Sequence, residues 1–166
     1  MITTLKKITL LLGSGLLILN LVSCNEDEEP CTDQTLEPLR LIVTDMDDNN
    51  LLDEDSDFEL ADFALFYQDG NDWVELTVTL EETSEEVPFI ESMEAAEESL
   101  EGNTEFQLVL ADDESVSFDF VVTMTDTSGC DVYTYEGTDT DGEDLGQPSD
   151  GTPKPYIIQI DLETAS

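Results

Sequence analysis

Between Ser115 and Met124 the side chains alternate without a break. Val116, Phe118, Phe120, Val122 and Met124 interleave with Ser115, Ser117, Asp119, Val121 and Thr123. Successive residues of a strand point to opposite faces, so this period of two gathers one apolar face along an extended segment. No amphipathic helix accommodates such a run. The segment therefore commits the chain to a sheet with one buried side, and other segments follow the same rule. Leu39, Leu41 and Val43 alternate with Arg40, Ile42 and Thr44, and Val74, Leu76, Val78 and Leu80 with Glu75, Thr77 and Thr79. Phe106, Leu108 and Leu110 form a further set, turned by Asp112-Asp113-Glu114. Phe58 to Tyr67 is an apolar run, Val132, Tyr133 and Tyr135 mark another strand, and Tyr156, Ile158, Ile160 and Leu162 close the series. About seven strands separated by turn signals predict an all-β fold, an antiparallel β-sandwich.

Three intervals depart from the alternation. Gln68-Asp69-Gly70-Asn71-Asp72 reads as a hairpin turn, because Gly, Asn and Asp tolerate positive φ. Glu91 to Glu101, with Met93, Ala95, Ala96 and Leu100 before Gly102, reads as a short helix with a glycine stop, opposed by repulsion among its glutamates. Gly137 to Lys154 has no apolar period and reads as a long, mobile acidic loop.

Charge then limits the partners. The chain carries 42 acidic residues, four basic ones and no histidine, a formal net charge of −38. Lys6 and Lys7 stand near the start, so from residue 24 onward all the acids face Arg40 and Lys154 alone. Nucleic acid needs clustered cations and is excluded as a partner. Anionic lipid is repelled likewise. Cations, basic proteins and neutral glycans remain. Self-repulsion also opposes compactness, and salt relieves it. A saline habitat and bound divalent cations are two explanations that composition does not separate.

The first residues carry an address. Met1 to Lys7 is a short basic start, and Ile8 to Val22 is nearly all apolar, too short to span a bilayer but suited to a signal peptide. It ends in Leu21-Val22-Ser23-Cys24, which resembles the lipobox of bacterial lipoproteins. The resemblance implies cleavage before Cys24 and lipidation of its thiol, with two or three acyl chains anchoring the protein in a membrane. The acidic run Asn25-Glu26-Asp27-Glu28-Glu29 is similar to the surface-export signal of Bacteroidota lipoproteins. That implies the outer membrane, its exterior face favoured over the periplasmic one. The domain plan is then signal peptide 1–23, acidic tether 24–38 with Pro30 and Pro38, and sandwich 39–166. An early strand, an Asp-rich turn, Leu51-Leu52-Asp53 and an aromatic strand ending in Phe66-Tyr67 look like the opening of small flavobacterial surface lipoproteins. The later Cys130 strand and the closing aliphatic strand fit as well. This likeness implies architecture and location and carries no activity.

Candidate sites are few. With Cys24 lipidated, Cys31 and Cys130 would lie in an oxidising compartment, where one disulfide is their simplest fate. It would close a loop of roughly 100 residues, worth up to about 4–5 kcal/mol by chain entropy. Asp45, Asp47, Asn49 and Asp53 are spaced as in the start of an EF-hand-type calcium loop. Asn50 stands where that loop has glycine, Ser56 where it has its bidentate glutamate, and a strand precedes the site. A weak calcium site and a plain hairpin turn both fit. Asp139, Asp141 and Glu143 repeat the spacing more weakly. Zinc is disfavoured by the missing histidines and scarce cysteines. Trp73, out of phase with the Val74 set, is a candidate for stacking on a sugar; Tyr67, Tyr133 and Tyr135 would join it if they shared an exposed face.

Catalysis has little to work with. Lacking histidine, the chain cannot build a Ser-His-Asp or Cys-His arrangement. It has no Gly-rich phosphate loop. Carboxylate pairs suited to glycoside hydrolysis cannot be singled out among so many acids. The sequence is therefore read as a non-enzymatic, lipid-anchored surface module that binds a glycan or a partner protein, or else as a structural or calcium-dependent surface component.

Overall fold

The computed structural model describes residues 34–111, 114–127 and 129–162. The leader, Cys24, the acidic run behind it and Cys31 lie outside the described residues. Among the described residues nine strands and one α-helix follow in order: β1 (Leu39–Thr44), β2 (Phe63–Asp69), β3 (Asp72–Leu76), β4 (Thr79–Glu82), β5 (Pro88–Ser92), α1 (Met93–Glu101), β6 (Glu105–Leu110), β7 (Glu114–Thr127), β8 (Cys130–Asp139) and β9 (Tyr156–Gln159). They make a four-stranded sheet, β4-β5-β1-β9, and a five-stranded sheet, β3-β2-β6-β7-β8. The architecture is the all-β sandwich expected from the alternation.

The inward sets meet in one core. Leu41, Val43, Ile90 and Ile158 from the smaller sheet, with Ile160 just beyond β9, join Leu65, Phe106, Leu108, Leu110, Phe118 and Phe120 from the larger one, all essentially buried. Each such side chain contributes about 1.5–3 kcal/mol of transfer free energy. Phe106 stacks on Phe118 and meets Phe120 edge-on, with centroids 5.9 and 6.1 Å apart.

Several expectations are corrected. Val74 to Leu80 is not one strand. The chain leaves the larger sheet after Leu76 and joins the smaller one at Thr79, so Val74 and Leu80 are both exposed. The strand β5 was hidden behind the helix reading that began at Glu91; together with that split it raises the strand number from seven to nine. The apolar run from Phe58 enters β2 only at Phe63, after a 3₁₀ turn at Leu60–Asp62. The sandwich also holds one parallel pair, β1 with β9, joining the first and last strands (Leu41 opposite Tyr156, Thr44 opposite Gln159). Met124, expected inside, is 51% exposed, because the β7–β8 hairpin runs on past the end of β6.

The turns follow their chemistry. Asp69 pairs with Asp72 around Gly70-Asn71, with Gly70 at φ +64. The helix forms despite its glutamates. Ser92 caps its start by accepting the Ala95 N–H, and Gly102 ends it at φ +103 with the Gly102 and Asn103 N–H groups turned back onto Ser99 and Glu98. Two of the glutamates have their own donors: Glu94 accepts from the Thr77 N–H and hydroxyl, and Glu98 from Asn103.

The 137–154 segment was expected to be mobile, yet it is tied to both sheets. Leu145 donates to the Gly137 carbonyl of β8, and Ile157 of β9 donates to Gly146. Farther on, Ser84 donates to the Thr152 carbonyl and its hydroxyl accepts from the Thr152 N–H. Backbone pairing that a polar composition conceals accounts for the difference.

Candidate ligand-binding groove

The edge strands β8 and β9 belong to different sheets. Where they approach, the sandwich opens into two adjoining cavities of about 320 and 480 Å³ that share Tyr135, Gln147 and Tyr156. Period two places Tyr135 on β8 with the inward set, because Tyr135 pairs with Val122. Tyr156 is the first residue of β9 and shares the phase of Ile158 and Ile160. Phe120 of β7 lies between the two tyrosines, stacked on Tyr135 at 6.4 Å and edge-on to Tyr156 at 6.0 Å. Gly137 permits this arrangement. A Cβ there would stand 3.1 Å from the Tyr156 ring and 3.2 Å from Leu145. Both tyrosines are half-buried, and burial pushes their phenol pKa values up; the hydrogen bond from the Glu37 N–H works against this at Tyr135, and the Glu136 carboxylate adds to it at Tyr156.

Polar side chains and two prolines rim these aromatic walls. Glu37, Pro38 and Arg40 come from the entry into β1, and Gln147, Pro153 and Lys154 from the connection between β8 and β9. The Tyr135 hydroxyl accepts the Glu37 N–H at 2.7 Å and so fixes the ring to the opposite sheet's leading segment. Register sets Arg40 opposite Glu91, and its guanidinium donates to Glu91 and to Glu37, each at 2.8 Å. Burial works against that charge, and the hydrogen bonds to the two glutamates outweigh it, leaving the Arg40 pKa raised. Lys154 Nζ donates to the Ser149 carbonyl at 3.3 Å, and among the described residues no carboxylate lies in ion-pair range of it. Gln147 Nε2 donates to the Lys154 carbonyl. The chemistry available here is stacking, amide hydrogen bonding, one ammonium with no ion-pair partner among the described residues, and the Glu136 and Asp144 carboxylates of the second cavity.

Other predicted positions lie elsewhere. The Asp45 carboxylate folds back on its own loop, with Oδ1 accepting the N–H groups of Asp47 and Asn49 at 2.9 Å and Oδ2 accepting from the Asn49 side chain at 2.8 Å. The Asn49 amide, then its N–H, holds the Asp45 pKa below its ordinary value. Asp53 is exposed, in the turn beyond the bridge between Thr44 and Asn50. Asp139 repeats the arrangement, accepting the N–H groups of Asp141 and Glu143 at 2.9 Å. Among the described residues, no group of three or more acidic or cysteine side chains is placed to hold a metal ion. Trp73 is 42% exposed on the outer face of the larger sheet, opposite Gln68. Tyr67, Tyr133 and Tyr135 pack against the core instead, so the four rings do not share a face. Cys130 is buried at the start of β8 and is not a free thiol. Tyr156, Gln147, Arg40 and Lys154 were not singled out as a site from the sequence, although the scarcity of cations marked two of them.

Comparison of the chain with protein-family models, curated proteins and solved structures finds no match.

Proposed function

We propose that the protein is a lipid-anchored, non-catalytic surface module that binds a glycan in the Tyr135–Tyr156 groove. One observation carries the reading. Two half-buried aromatic rings flank a cavity whose rim supplies an amide and charged donors. A sugar ring offers apolar C–H faces and a belt of hydroxyls, which calls for this combination of stacking surface and convergent polar groups. The lipobox at Cys24 supports the address, and a Cys31–Cys130 disulfide would join the tether to the first residue of β8. In the absence of histidine, no base–nucleophile pair of the histidine type is available for turnover.

A glycan array followed by calorimetry tests the proposal. Tyr156→Ala is expected to weaken binding at least tenfold with little change in fold, whereas Trp73→Ala leaves it unaltered. Undiminished affinity in Tyr156→Ala, or loss in Trp73→Ala alone, would move the site to the outer face of the larger sheet.

A further inference from the structure

From residue 24 onward the chain has two basic residues, 114 positions apart in a sequence otherwise crowded with acids, and both line the same cavity. Arg40 is neutralised there by Glu37 and Glu91. Among the described residues Lys154 has no carboxylate partner. Its ammonium has three donors, and one carbonyl at 3.3 Å occupies only one of them. Beside it stand the Tyr135 and Tyr156 rings. A neutral sugar would leave that charge unanswered, and a cationic ligand would meet a like charge in Lys154. An acidic group carried on a sugar ring answers it.

Resting on the glycan reading above, we infer that the groove selects acidic saccharides, whose carboxylate or sulfate ester is bound by Lys154 while the ring lies against Tyr135 and Tyr156. The charge-assisted hydrogen bond from an ammonium to an anionic oxygen is the discriminating contact. Arg40 acts differently. Held by Glu37 and Glu91, it positions the entry to β1 and leaves the ligand's anion to Lys154. The surrounding acidity sharpens the choice, since an acid that misses Lys154 meets carboxylates elsewhere on the surface.

The test uses the full mature chain and defined probes: oligogalacturonates, the same oligomers after carboxyl reduction, and sulfated galactan oligomers with their desulfated forms. The acidic member of a pair is expected to bind at least tenfold tighter than its neutral counterpart, and Lys154→Gln to abolish that preference while retaining weak neutral binding. The pair with the larger ratio identifies carboxylate or sulfate as the natural group. Equal affinity within both pairs overturns the selection by Lys154 and leaves glycan binding standing. Failure to bind any of the four, with neutral glycans bound on the array, also overturns it. Silence on array and probes alike overturns the glycan reading itself. Thermal melting of Lys154→Gln guards against misfolding, because this exposed residue is expected to leave the midpoint unchanged.

Discussion

Ser99 shows how one small side chain completes a sheet. Strand β6 ends at Glu105, opposite Asp119, so the next residues of β7 have no strand on that side. The buried Ser99 hydroxyl donates to the Phe120 carbonyl and accepts the Val122 N–H, both at 2.8 Å. Ser99→Ala would strand both backbone groups in an apolar setting, and a loss of about 2–3 kcal/mol is expected in urea unfolding. Thr44 presents the opposite case. It is buried, and its hydroxyl has no hydrogen-bond partner among the described residues. Thr44→Val removes that desolvated hydroxyl at nearly constant shape and is expected to stabilise by about 1 kcal/mol, read as a higher melting midpoint. Neither residue was legible in the sequence. A serine within a helix and a threonine ending a strand carry no local mark of what lies across from them.

The elements divide by how local their causes are. Strands β6 and most of β7 were readable because one face of each is buried and the other is not; β1 was readable from its period of two, although Ile42 and Thr44 on its other face are buried as well. The helix was readable because its start and stop are local chemistry. Passage from β3 to β4 was not, since alternation continues smoothly through Thr77-Val78 while the chain changes sheets. The groove was also illegible. Its walls come from β7, β8, β9, the lead into β1 and the connection at 147–154, and none of these segments signals the others. The Asp45 loop offers a pH test. Because the folded pKa is depressed, its contribution to stability is present above the ordinary aspartate value and is lost as pH falls through the lower, folded one. Carboxyl NMR should give an Asp45 midpoint below that of a model aspartate, with the Asp47 and Asn49 amides moving at the same pH. An ordinary midpoint would show the loop hydrogen bonds to be absent in solution.

At the scale of the whole molecule, charge and topology act together. A net charge of −38 on a chain of 166 residues is a standing repulsion among carboxylates, and most of the described ones lie at the surface. Sodium chloride shortens the screening length from roughly 30 Å at 0.01 M to about 3 Å at 1 M. The melting midpoint is therefore expected to rise steadily over that range, most steeply at the low end, in calorimetry at neutral pH. A flat or falling response would show that the acids are already compensated. Topology makes a separate demand through the parallel pairing of β1 and β9. Pulling the segment that enters β1 away from the segment that leaves β9 would load the two strands along their length in opposite senses. Their rungs would resist together rather than unzip one at a time, so the domain would take tension applied at these two segments as a shear clamp.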